Sequence, residues 1–203
     1  AVRAYEGASR TDGWRVRRAG ASANTDHLAD ARELRNRARA LVQNVPYCAR
    51  SLQVLVSATI GIGITPKAEG PNASALDILW GRWADVADAD GKSDIYGLMA
   101  TAYRAMEQDG EVMIRRRTRR QSDGLAVPLQ LQVLEIDWLD GNKNGSASGG
   151  GQIINGIEYD AIGRIRGYWL FGAHPGDAVR GSVRLSSSLV QASDIIHLYN
   201  PVR

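Results

Sequence analysis

The sequence predicts an α+β fold, with helices first and a largely antiparallel sheet after them. Two observations carry this. Apolar residues recur at helical spacing from Asp26 to Gly110, and beyond Gly110 the pattern becomes short, alternating segments separated by turn residues. Elements segregated along the chain in this way place helices against an antiparallel sheet. The 203 residues suffice for one large domain with a substantial core, and no internal repeat is visible. The expected organisation is a flexible arm over residues 1–23, then one domain over 24–203, with helices at about 26–110 and strands at about 111–199.

The arm is polar, small and arginine-dotted ("TDGWRVRRAGASAN"), without apolar periodicity. From Asp26 the first helix places Leu34, Ala38, Leu41 and Val45 on one face. Asp26 and Asp30 precede Arg32, Arg35, Arg37 and Arg39, an order that complements the helix dipole. Pro46 breaks or restarts it, and "YCARSLQVLVSAT" aligns Cys48, Leu52, Leu55 and Thr59 until Gly61. "IGITPKA" reads as a short strand. A third helix, about Ala73–Ala87, carries Leu76, Leu79, Trp80 and Trp83 on one stripe. Ser93 is the expected N-cap of a fourth, with Ile95, Leu98, Met99, Ala102 and Met106 at helical spacing and Gly110 as its stop.

The strand segments are "EVMIRRRT", "PLQLQVLEID", "GQIINGIEYD", "IRGYWLF" and "SDIIHLY". "DAIG" reads as a hairpin loop, "DGNKNGSASGGGQ" as a flexible tip joining two strands, and the serine run Ser186–Ser188 as a loop.

Composition narrows the function. A single cysteine, Cys48, excludes an internal disulfide and points to an intracellular setting. The longest mostly apolar run, "LVSATIGIGI", is too short for a membrane helix. The first residues do not read as a secretory signal, and without an initiator Met the chain reads as a trimmed or cloned piece. Net charge is only +3, yet 22 of the 25 basic residues are arginine, whose planar fork suits carboxylates, phosphates and interfaces. A GC-rich genome would also give that share.

Chemical motifs are absent. In "DADGKSD", placing Gly91 at the invariant position of a calcium loop puts Val86 at the first ligand position, so a helix-linking turn is expected. "GSASGGG" and "GIG" lack the lysine and following helix of a phosphate loop. His27, His174 and His197 sit in unrelated contexts without a nucleophile beside them, and no metal-ligand cluster is present. The expectation is a non-enzyme without cofactor or metal.

The remaining feature is "EVMIRRRTRR". As a strand it alternates faces, and both become basic after Ile114, so the strand leaves the core there. Arg115, Arg116, Arg117, Arg119 and Arg120 are the candidate contact residues, for a protein interface or for phosphate. No aromatic residue interleaves with them, as a single-strand nucleic-acid platform would require. No helix-turn-helix or zinc-finger signature accompanies them.

"GEVMIRRRTRR" followed by "VPLQLQVLEIDWLD" closely resembles the central signature of lambda-type bacteriophage portal proteins. "RARALVQNVPYCARSLQVLVSATIGIGITPKA" is similar to the N-terminal helical segment of that family. "LWGRWADVADADGKSDIYGLMATAYRAMEQDGEVMIRRR", with Trp80 and Trp83, is similar to the next, and "GIEYDAIGRIRGYWLFGAHPGD" and "IIHLYNPVR" also fit. The ordered series runs from about residue 13 to the end. The resemblance implies a structural, non-enzymatic head-tail connector located in the virion and assembled in the host cytoplasm. It implies a ring, usually of twelve subunits, at one capsid vertex, through which double-stranded DNA is packaged and ejected. The implied partners are further copies of the chain, the terminase, the major capsid protein and the head-tail adaptor. The similar part is the N-terminal, wing-rich portion, so the chain is expected to be a fragment of a longer portal chain. Thr118, Arg119 and Arg120 depart from the family pattern and take no role by analogy. The rival reading is an arginine-rich nucleic-acid-binding module. A small enzyme is a weaker rival, with no constellation to support it.

Overall fold

The computed structural model describes residue 20, residues 23–177 and residues 185–200. Most of the arm expected over 1–23 lies outside these residues. Among the described residues four helices come first: α1 (Ala23–Asn44), α2 (Pro46–Ile60), α3 (Ala73–Ala84) and α4 (Ile95–Asp109). Eight strands follow: β1 (Glu111–Thr118), β2 (Leu129–Glu135), β3 (Gly145–Ser146), β4 (Gln152–Ile154), β5 (Ile157–Tyr159), β6 (Ile165–Phe171), β7 (Ser187–Gln191) and β8 (Ile195–Tyr199). They form two antiparallel sheets, ordered β2-β1-β8 and β3-β4-β5-β6-β7. The α+β class expected from the change of period is the class observed.

The three-stranded sheet is the middle layer, because β1 is buried on both faces where it starts. Val112 and Met113 point to opposite sides and both are fully buried. The face of Met113 and Leu134 joins Tyr168, Leu170, Val190 and Ile195 in a core shared with the five-stranded sheet. On the other face Leu129, Leu131 and Val133 pack against Trp83, Ala84, Ala87, Ile95 and Leu98 of the helical half. Trp83 Nε1 donates to the Leu129 carbonyl at 2.7 Å, which pins the end of α3 to β2.

Helix α4 follows its sequence pattern. Ile95, Leu98 and Ala102 are buried, and Gly110 closes the helix in the left-handed region at φ 87°. Its cap is Asp94 rather than Ser93: Asp94 Oδ1 accepts from Gly97 N–H at 2.7 Å, while Ser93 N–H is taken by Asp88. Asp94→Ala should therefore cost about 1 kcal/mol of stability in urea unfolding, and Ser93→Ala much less.

The other departures have local causes. "IGITPKA" forms no strand, because Gly61 and Gly63 take positive φ and Ile62 and Ile64 project into solvent away from either sheet. Helix α3 stops at Ala84, not Ala87, because the chain then joins β2. Leu131 N–H donates to the Ala87 carbonyl and Ala89 N–H to the Leu131 carbonyl. "GQIINGIEYD" is two strands folded at Asn155-Gly156, both at positive φ (52° and 81°), the conformation of a two-residue hairpin turn. Of the serine run expected as a loop, Ser186 stays outside any strand while Ser187 and Ser188 open β7, and Ser187 Oγ donates to Asp140 Oδ2 at 2.6 Å. Within "DGNKNGSASGGGQ", expected as a flexible tip, Gly145–Ser146 pairs with β4 and Lys143 lies 3.5 Å over the Trp169 ring. "DAIG" is the β5–β6 hairpin loop, organised by Asp160 Oδ1 accepting from Ile162 and Arg164 N–H. In "DADGKSD" the buried Asp88 carboxylate accepts from the N–H groups of Asp90, Lys92 and Ser93, so its oxygens organise a turn.

Candidate contact surface

The five arginines lie where β1 runs out of the core. Arg115 stands opposite Gln132 and Arg117 opposite Gln130, on the face that begins with Met113. Arg116 stands opposite Leu131 on the helix-side face, yet is exposed. Arg120 is also exposed, and Arg115, Arg117 and Arg119 are half-buried. Among the described residues none of the five guanidinium groups forms an ion pair. Their hydrogen bonds go to neutral oxygens: Arg116 Nη1 to the Ser193 carbonyl at 3.1 Å, and Arg119 to Gln130 Oε1 at 2.7 Å and the Ala89 carbonyl at 3.4 Å. Burial, and then the charge of Arg117, lowers the pKa of Arg115, which Asp194 only partly offsets. Arg115 and Arg117 are thus half-buried cations that form no ion pair among the described residues.

A second charged cluster escaped the sequence reading. It lies where the C-terminal end of α1 meets the end of α4 and the starts of β1 and the turn after β2. Arg39 donates to Asp109 (3.0 Å from Nε, 2.5 Å from Nη2) and to Asp137 Oδ2 at 2.5 Å, and lies 3.5 Å from Glu135. Asp109 raises the Arg39 pKa above its ordinary range, with Asp137 adding to the effect. Arg35 bridges Glu111 at 3.6 Å and Asp137 at 3.9 Å. His197 Nε2 meets Glu111 at 2.9 Å, and His174 Nε2 faces Glu135 at 3.5 Å. Two histidines that looked unrelated therefore cap the two ends of one chain of contacts. His27 lies on α1, and its side chain is outside the described residues.

Donor atoms of Glu135, Asp137 and His174 come within 4.8 Å of one another, but the set does not fit a metal ion. Gly176 N–H donates to His174 Nδ1, so the neutral ring carries its proton on Nε2, the nitrogen that faces Glu135. The Arg39 guanidinium already occupies the cation position between the carboxylates.

The cluster decides how α1 docks. Its inward residues include Arg35, Ala38, Arg39 and Val42, whereas Leu34 and Leu41, at helical spacing with Ala38, are more than half exposed. The helix is held to the fold by guanidinium–carboxylate pairs, and its apolar flank is left uncovered.

The family model for phage portal protein, lambda family, matches residues 7–203. This chain belongs to that family. The portal chain is thereby a structural component of a phage capsid with a role in genome packaging, and the family assembles as oligomers together with capsid and DNA. No curated protein matches the chain. None of the portal chain's described helices is long and apolar enough to cross a membrane.

Proposed function

We propose that this chain supplies the wing-like part of a closed ring, a dodecamer, at one capsid vertex. Double-stranded DNA enters and leaves through that ring, the terminase docks on it, and the major capsid protein and head-tail adaptor contact its outside. The chain would act by contact and by mass, without chemistry of its own, in the virion and, during assembly, in the host cytoplasm. The observation that carries this reading is the family match across nearly the whole chain. Physical support comes from the helical half, which leaves an unusual amount of apolar side chain uncovered. Tyr47, Ile62 and Ile64 are each more than two-thirds exposed, and Leu34, Leu41, Leu76 and Ile78 each about half or more. Side chains of this kind are what a subunit interface would cover. Negative-stain electron microscopy of the assembled protein should show closed rings with twelve subunits. A chain that stays monomeric at every concentration in analytical ultracentrifugation would remove the reading.

One observation favours a second reading, an arginine-rich nucleic-acid-binding module: the five guanidinium groups form no ion pair among the described residues. That module would bind duplex DNA with a steep salt dependence, weakened by replacing the arginine run with serines.

A further inference from the structure

We infer that the arginine end of β1 is a docking site for an extended, carboxylate-bearing segment of a partner protein, and not for nucleic acid. The inference rests on the assembly role proposed above and names the chemistry of one contact within it.

Arg35, Arg37, Arg39 and Arg166 all have carboxylate partners within the chain. The β1 arginines form no ion pair among the described residues, although Arg115 and Arg117 are half-buried and repel one another, a repulsion that the charge of Asp194 only partly offsets. Like charges drawn together on a sheet and partly stripped of water are unfavourable until an anion reaches them. The sheet also offers a backbone edge at this place. The register of β1 with β2 continues to Thr118, whereas its register with β8 stops at Arg115. From Arg116 to Thr118, β1 therefore has a strand neighbour on one side only among the described residues. An extended segment can add alongside by main-chain hydrogen bonds while its carboxylates meet the guanidinium forks.

The borders of the patch select against a phosphate backbone. Asp194 acts on Arg115, Asp90 accepts from Gln132 directly opposite Arg115, and Asp123 holds the Arg120 N–H. A nucleic-acid strand is a continuous line of charge that would pass these carboxylates at close range. A peptide places its carboxylates singly and can avoid them. Residues 111–120 also contain no aromatic ring on which a base could stack.

The test is fluorescence anisotropy with two labelled probes, a peptide of alternating glutamate and threonine and duplex DNA of matched charge, on the intact chain. The peptide should bind more tightly than the duplex. Arg115→Gln with Arg117→Gln should weaken peptide binding about tenfold or more, the loss of one or two charge-assisted hydrogen bonds. Arg115→Lys with Arg117→Lys keeps the charge and removes the fork, so peptide affinity should fall severalfold and duplex affinity should hold. That lysine pair also serves if the glutamine pair does not fold. Failure of the wild-type chain to bind the peptide overturns the inference, as does duplex binding that is tighter than peptide binding. Rings without peptide binding would leave the assembly role intact and remove only this assignment; peptide binding without rings would do the reverse.

Discussion

Arg39→Met should destabilise the chain by about 3–5 kcal/mol, the cost of removing one partner from a mostly buried ion-pair cluster. Methionine keeps most of the volume, so the loss reports charge rather than a cavity. The Asp109 side chain is 4% exposed and would keep no cationic partner among the described residues, while Asp137 would retain the longer contact with Arg35. Neutralising such a buried carboxylate, or hydrating it by opening the helix contact, is the only relief available. The opening should be local before it is global. Hydrogen exchange should quicken first across α1 (Ala23–Asn44), while the amides of β1 and β2 keep their protection. Arg39→Lys should recover part of the loss, since an ammonium can reach one carboxylate but cannot bridge two in one plane. A loss below about 1 kcal/mol, the range of a solvent-exposed pair, would show that α1 is held by something else.

The same contrast explains what was legible in the sequence. Helix α4 could be read because its stripe of Ile95, Leu98 and Ala102 is the core it was taken to be. Helix α1 could be recognised as a helix but not oriented. The residues that dock it, Arg35 and Arg39, find partners at Asp109, Glu111 and Asp137, and apolar periodicity carries no information about such distant charge pairing. Leu34 and Leu41 fall at helical spacing with Ala38 and Val45, yet both are more than half exposed, so spacing alone did not give the docked face. Asn155-Gly156 is a strong hairpin signal, but the residues around it alternate well enough to read as one strand. The serines of β7 carry no strand propensity; they pair because Phe171 and Leu170 stand opposite them. For the contact surface, the five arginines were visible as a cluster, and their lack of carboxylates was not. That property depends on Gln130, Gln132 and Ser193 being their neighbours, which only the register of β1 reveals.

Leu170→Ala should cost about 3 kcal/mol, within the range for a buried leucine whose site cannot fully collapse. Leu170 is 2% exposed on β6 and belongs to the core that joins the two sheets, with Met113, Leu134 and Ile195 from one sheet or its adjoining turn and Tyr168 and Val190 from the other. For a chain of this length the loss should lower the melting temperature by about 6–12 °C. Leu170→Met, which conserves volume, should cost less than about 1.5 kcal/mol. The pair of variants also tests whether the sheets unfold together. Among the described residues the five-stranded sheet meets the rest of the fold at this core, at the connections between strands, at the isolated bridge Leu139↔Leu170 and where Tyr168 meets His197. If the core is what couples them, Leu170→Ala should shift the whole urea transition and leave it single. A split transition, with β3–β7 opening first, would mean that the middle sheet is stabilised mainly by the helices on its other face. In that case Trp83 and Leu98, rather than Leu170, would set the stability of the arginine strand.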